Sequence, residues 1–146
     1  MDGCKKVNRV RIVFCFSGKT FKGAISDMVS DYKGRISRYM PVEVIEAKRL
    51  KIQKRHGFHI VLTPEGKLIT SEGLSCLINR HLGLGTKNMF FYTGGHTGYD
   101  DGQIVDDADM KLSLSTMTFN HQLIRIMLLE QVYRAFTIIN SEPYHK

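Results

Sequence analysis

Apolar and polar positions along the chain change period several times, and each change marks an element. Residues 7–16 are rich in Val, Ile and Phe and alternate through Arg9 and Arg11, which predicts a first strand. Ser17-Gly18-Lys19-Thr20 breaks it. Residues 24–36 place Ile25, Met28, Val29, Tyr32 and Ile36 at helical spacing, with Asp27, Asp31, Lys33 and Arg35 facing away, so a helix is expected. Pro41 stops that unit, and residues 42–46 read as a short second strand. Residues 47–56 are basic and lack an apolar period, which predicts a loop with freedom to move. Residues 58–62 read as strand three and Thr63-Pro64-Glu65-Gly66-Lys67 as the turn after it, because proline removes a ladder donor and glycine permits positive φ. Leu74, Leu77 and Ile78 make the stripe of a helix over 71–81, which Gly83 and Gly85 are expected to end. Residues 89–93 are apolar throughout, as a buried parallel strand would be. They run straight into Gly94-Gly95-His96-Thr97-Gly98. Residues 100–110 are acidic and irregular with room for a short helix, and 112–114 read as a fifth strand.

The last third behaves differently. From Leu123 to Ile139 the apolar residues include Ile124, Ile126, Met127, Leu128, Leu129, Val132, Tyr133, Ala135, Phe136 and Ile138. A surface helix carries one apolar stripe, whereas this one is apolar around most of its circumference. It needs cover on several sides, which points to a subunit interface. Thr118 or Asn120 can cap its first turn, and Glu130 and Arg134 are spaced to pair along it. A polar tail ending Tyr144-His145-Lys146 follows. Strands alternating with helices predict an α/β domain with a mostly parallel sheet and flanking helices.

At 146 residues the chain is read as one domain, residues 1–146, able to bury about 68–70% of its unfolded-chain surface. The longest early apolar run, 12–16, is too short for a signal-peptide core or a membrane span. Cys4, Cys15 and Cys76 are widely spaced with no CxxC, so a reduced, cytoplasmic setting is expected. The net charge of +7 suggests a polyanionic partner. The charge is uneven: Lys5, Lys6, Arg9 and Arg11 lie near the start, Lys48, Arg49, Lys51, Lys54 and Arg55 form a second cluster, and acid gathers between Asp100 and Asp109.

Of the candidate motifs, Ser17-Gly18-Lys19-Thr20 fails as a phosphate-binding loop, because Val13 occupies the slot that needs glycine. Gly83-Leu84-Gly85 follows a helix and has Asn88 in place of the last glycine, so it fails the dinucleotide pattern. Both read as punctuation. The six histidines are scattered, and no His/Cys/carboxylate cluster has metal-ligand spacing. No metal is expected. Gly94-Gly95-x-x-Gly98 at the end of a buried strand is more informative, since ligands of open α/β sheets bind at those strand ends. Leu62, Gly94 and residues 114–119 share that edge and could line a partly apolar slot. With Lys67 the only basic residue in those three loops, the slot suits a flat heterocycle better than a phosphate.

Residues 63–74 (TPEGKLITSEGL), 91–98 (FYTGGHTG), LSLSTMTFNHQLIRIMLLEQVYRAF and the terminal Tyr144-His145-Lys146 together resemble the RlmH-type ribosomal RNA methyltransferases of the SPOUT superfamily. The resemblance covers nearly the whole chain. It implies methylation, dependent on S-adenosylmethionine (SAM), at N3 of a pseudouridine in 23S ribosomal RNA of the large ribosomal subunit. It also implies a homodimer and a C-terminal trefoil knot, in which the chain after strand four threads through an earlier loop. By position, the cofactor contacts implied are Leu62, Gly94, Leu114, Ser115, Thr116, Met117, Thr118 and Phe119. The tail implies catalytic roles for His145, as base or orienter, for Tyr144, as a stacking or hydrogen-bonding group, and for Lys146, against a phosphate or developing anion. Three departures stand out: a short basic segment over 47–57 in place of a longer connection, Asn120 where proline is usual, and Lys146 at the terminus. Two other readings compete, a non-enzymatic ribosome- or RNA-binding protein on the same fold and a transfer-RNA methyltransferase.

Overall fold

The computed structural model describes residues 10–145; Lys146 and the basic residues before Val10 lie outside them. The elements follow in the order β1 (Arg11–Ser17), α1 (Ala24–Ser37), β2 (Val42–Ala47), β3 (Phe58–Leu68), α2 (Ser71–Leu84), β4 (Asn88–Thr93), α3 (Gln103–Asp107), β5 (Met110–Ser113) and α4 (His121–Ile139). The sheet order is β2-β1-β4-β3-β5, and every pairing is parallel. The α/β class and the parallel sheet read from the sequence are therefore present.

Period-two alternation divides the sheet into two faces. Ile12, Phe14 and Phe16 of β1, with Met89 and Phe91 of β4, join a core with Leu128, Leu129, Val132 and Phe136 of α4. Val13, Cys15, Phe90 and Tyr92 face the other way, where Leu50 and Ile104 cover them. One face thus carries the three long helices, while the basic segment and the five-residue α3 cover the other. That basic segment is irregular, as read, but it is anchored. Leu50 is buried, the Gln53 amide donates to the Tyr92 hydroxyl at 2.9 Å, and Arg55 pairs with Glu43 at 2.9 Å while lying over the Phe90 ring.

Two details differ from the sequence reading. Residues 63–67 do not end β3; they bulge within it, so that Leu62 and Lys67 both face Leu112 of β5. A Cβ at Gly66 would meet the Leu112 backbone at 2.6 Å, so only glycine lets the bulge lie against β5. Gly83 sits inside α2, and Gly85 alone caps it in the left-handed conformation, with φ 69°. At α4 the choice between caps resolves to Asn120, whose side chain accepts from the Gln122 amide at 2.8 Å.

Two polar ties hold the strand ends in place. Arg125 of α4 is fully buried. It donates to the Ser17 carbonyl at 2.7 Å and to Thr20 Oγ1 at 3.0 Å, and its guanidinium stacks over Phe16. Burial holds its pKa below the usual arginine value, and Glu46 at 3.9 Å counters that. Tyr99, after β4, brings its hydroxyl within 2.7 Å of the Leu62 carbonyl and 2.8 Å of the Tyr92 carbonyl. One donor thereby braces the ends of β3 and β4.

Replacing Arg125 with Met should therefore destabilise the fold by about 3 kcal/mol, because two hydrogen bonds from a charged donor are lost and the Ser17 carbonyl stays buried. Urea titration would read this as a lower midpoint with an unchanged slope, and an unchanged midpoint would refute the tie. Tyr99→Phe should cost about 1–2 kcal/mol by the same measurement, the penalty of leaving those carbonyls without their donor.

Candidate active site

The C-terminal ends of β3, β4 and β5 open into one cleft of about 490 Å³. Its walls come from three short stretches: Leu62 to Glu65 on the β3 bulge, Thr93 to Tyr99 after β4, and Leu112 to Phe119 after β5. His121 and Ile124 of α4 close the remaining side. Of the residues expected at a cofactor site, Leu62, Gly94, Leu114, Ser115, Met117, Thr118 and Phe119 line this cleft. Thr116 does not; it lies exposed on the same loop. Sequence reasoning missed Thr93, His96, Tyr99, Glu65 and His121. His96 and Tyr99 sit in or beside the glycine motif, so adjacency was the available signal, whereas His121 is brought in only by the placement of α4.

The glycine loop closes on itself. Gly95 N donates to Gly98 O at 2.8 Å and Gly98 N to Gly95 O at 3.0 Å. A Cβ on Gly94 would lie 2.9 Å from the Gly98 carbonyl carbon, so any side chain there pushes the loop into the cleft. The loop after β5 is shaped by serines: Ser113 Oγ donates to the Ser115 carbonyl at 2.7 Å, and the Met117 amide donates to Ser115 Oγ at 3.0 Å. Much of the lining is thus main chain held in fixed orientation.

The electrostatics are as specific as the shape. Among the described residues, Glu65 is the carboxylate of the lining, and neither lysine nor arginine contributes to it. Thr93 Oγ1 is buried on the cleft wall and has no hydrogen-bond partner among the described residues. The His121 pKa is lowered by burial first, then by Arg125 and by His96, so the ring is neutral at pH 7. Burial pushes the Tyr99 phenol well above its ordinary value, which keeps the hydroxyl a donor. A cleft with main-chain donors and acceptors, an orphaned hydroxyl and one carboxylate suits a flat heterocycle joined to a cation. It does not suit a polyphosphate. Among the described residues, no group of three or more His, Cys, Asp or Glu side chains could hold a metal ion.

The tail occupies a different place. Tyr144 donates to Glu130 Oε2 at 2.9 Å, lies edge-on to Tyr133 with centroids 4.8 Å apart, and sits under the Arg134 guanidinium. Burial raises the Tyr144 pKa, with its hydrogen bonds to Tyr32 and Glu130 adding to that, so it acts as a neutral donor. Arg134 reaches His145 Nδ1 at 3.1 Å, and His145 Nε2 lies 2.9 Å from Glu72 Oε2. Because a guanidinium only donates, Nδ1 accepts and the proton sits on Nε2, facing the carboxylate. Neither Tyr144 nor His145 lines the cleft of its own chain. A second cavity of about 540 Å³ lies between α1, α2 and α4, lined by Tyr32, Ser71 and Glu130 and sharing Leu114 with the cleft; Tyr144 hydrogen-bonds two of its lining residues, Tyr32 and Glu130.

Comparison with known proteins places this arrangement. The family model described as "Predicted SPOUT methyltransferase" matches residues 10–145. The chain is 42% identical to the ribosomal RNA large subunit methyltransferase H of Coprothermobacter proteolyticus, over 88% of this chain and 94% of that one. It is 35% identical to the protein of the same name from Citrifermentans bemidjiense, over 93% and 99%. With the putative ribosomal RNA large subunit methyltransferase H of Methanococcus maripaludis it shares 40% identity, over 88% and 95%. A solved structure of a probable methylase family protein from Haemophilus influenzae shares the fold, with a TM-score of 0.53 at 9% identity, over 90% of this chain and 66% of that one. The resemblance read over nearly the whole chain is thus borne out, and the chain belongs to the SPOUT methyltransferase family.

Proposed function

We propose that the protein is a SAM-dependent methyltransferase acting at N3 of a pseudouridine in large-subunit ribosomal RNA, in the cytoplasm and as a homodimer. The observation that carries this is the cleft at the ends of β3, β4 and β5, which among the described residues has no lysine or arginine in its lining, in a chain of the SPOUT family whose relatives are named ribosomal RNA large subunit methyltransferases. Leu62, Gly94, Leu114, Ser115, Met117, Thr118 and Phe119 would hold the cofactor, with the Thr93 hydroxyl available as a further donor. When bound, SAM supplies a methyl group already activated by its sulfonium charge, and the Glu65 carboxylate gives the lining the sign that such a charge favours.

The work left to the chain is positioning and proton management. A pseudouridine N3 carries a proton that must leave, and the His145 imidazole is the group of the described tail that can accept one. In its present contacts His145 has both ring nitrogens engaged, by Arg134 and Glu72. To accept a proton it must give up the Arg134 contact at Nδ1. Tyr144 stays a donor and stacking surface, and Lys146 is assigned to a phosphate or the developing anion on its chemistry alone.

A homodimer gives these parts one site. The tail does not reach its own cleft, and α4 leaves Leu123 exposed and Ile126 and Met127 half-buried beside Met28. A second copy laid on that face would cover the apolar surface and bring its tail toward this cleft. The trefoil knot that the family implies is supported by the sheet order: β5 pairs with β3 rather than with β4. The chain after β4 therefore crosses the end of β3, where Tyr99 meets the Leu62 carbonyl.

Two measurements separate cofactor binding from transfer. Gly94→Val should lower SAM affinity at least tenfold by calorimetry, since its Cβ already meets Gly98 at 2.9 Å; unchanged affinity would refute this placement of the cofactor. Deletion of residues 144–146 should leave SAM affinity within about twofold and reduce methyl transfer to ribosomes by at least a hundredfold, in the range that one positioned acid–base group supplies. Transfer at the full rate would remove the tail from the mechanism, and labelled product in transfer RNA instead of 23S RNA would reassign the substrate.

A further inference from the structure

The segment Ser17-Gly18-Lys19-Thr20, which fails as a phosphate loop, turns out to be built with unusual care. Its backbone is held from below by α4 and β2. The Gln122 side-chain amide, itself buried, accepts from Phe21 N at 2.8 Å and donates to Lys19 O at 3.1 Å. Thr20 N donates to Glu46 Oε2 at 2.9 Å, Gly18 N donates to the Ala47 carbonyl at 2.9 Å, and Arg125 holds Ser17 O and Thr20 Oγ1. The loop is bounded by Gly18 and Gly23, both at positive φ. With its main chain committed inward, it turns Lys19, Phe21 and Lys22 to solvent, and Phe21 is 56% exposed.

An aromatic ring left in water between two lysines, on a rigid support, has no role in the core. Its surroundings show what it faces. The Phe21 ring lies edge-on to His121 with centroids 5.7 Å apart, and His121 lies 5.8 Å from His96. Both histidines line the cleft. The three rings therefore run from the exposed loop to the rim of the proposed cofactor site.

We propose that the β1–α1 loop is an RNA-gripping element: Phe21 stacks an unpaired base beside the cleft, while Lys19 and Lys22 hold the flanking phosphates. This rests on the reading of the cleft as a methyltransferase site, and it assigns to the loop the capture of a single-stranded nucleotide next to the one modified. Base stacking on an aromatic ring is tolerant of sequence and is worth about 1–3 kcal/mol per base, and two lysines neutralise two phosphates. Charge complementarity selects the occupant, because two cations flanking an exposed ring match an unpaired base between two phosphates.

The test uses the full chain and a short single-stranded RNA containing 2-aminopurine, whose fluorescence falls when the base stacks. Phe21→Ala should abolish that quenching and weaken binding about 5- to 150-fold, the range that 1–3 kcal/mol represents, while Phe21→Tyr keeps both. Lys19→Ala with Lys22→Ala should keep the quenching and reduce the slope of log affinity against log salt by about 1.4, two phosphates at about 0.7 each. SAM affinity should stay the same in all three variants. Absence of quenching with the unaltered protein, or an unchanged salt slope in the double lysine variant, overturns the assignment. So does a Phe21→Ala variant that changes only the oligomeric state in sedimentation, which would make the loop a protein contact. RNA binding is read without methyl transfer, so a protein that binds the RNA as expected yet transfers no methyl to ribosomes would sink the proposed reaction and leave the loop assignment standing.

Discussion

A buried guanidinium at the start of α4 is the constraint on which the arrangement around the cleft depends. Placing Arg125 away from water carries a desolvation cost that only close partners can offset. The partners available are the Ser17 carbonyl, Thr20 Oγ1, the Phe16 ring face and, at longer range, Glu46. Satisfying them fixes the N-terminal part of α4 against the end of β1. With Arg125 in place, Gln122 one turn earlier meets the next stretch of the same loop. His121 and Ile124 are then delivered to the cleft wall. One buried charge thus sets the register between the last helix and the first strand, at a sequence separation of 108 residues.

The cleft takes its shape from strand ends and turns, stabilised by Ser113, Ser115 and Tyr99. Such a lining recognises shape and hydrogen-bond pattern, and glycine at positions 94 and 66 lets backbone approach backbone without a Cβ between them. The proposed reacting groups lie elsewhere, on Tyr144 and His145, held against α4 by Glu130 and Arg134 and against α2 by Glu72. The proposed function therefore asks for a second copy of the chain to unite the two regions, and α4, with Leu123 exposed, offers it an apolar face.

The three exposed residues Lys19, Phe21 and Lys22 add a third region to this division. Their support comes from Gln122 and Arg125 of α4, the helix whose His121 and Ile124 line the cleft, so one helix carries both the loop and the cleft wall. A change at Arg125 would disturb both.

The sequence by itself determined the α/β class, the parallel sheet and most element positions, because period-two and period-3.6 patterns are written in residues such as Ile12, Phe14, Leu74 and Leu77. It also marked Leu62, Gly94 and residues 114–119 as neighbours, since strand ends of one sheet share an edge whatever the details of packing. Local signals misled where a long-range partner overrode them. Pro64 and Gly66 look like a turn, yet the β3 bulge continues because Leu112 pairs on both sides of it. Arg125 reads as an ordinary helical cation, since nothing local says that the Ser17 carbonyl and Phe16 ring will meet it. The tail contacts of Tyr144 and His145, and the exposure of Phe21 beside His121, were likewise decided only by tertiary structure. They depend on which faces of α1, α2 and α4 pack together, and that choice is made by side chains such as Ser71 and Gln131, 60 residues apart, and Tyr32 and Tyr144, 112 apart.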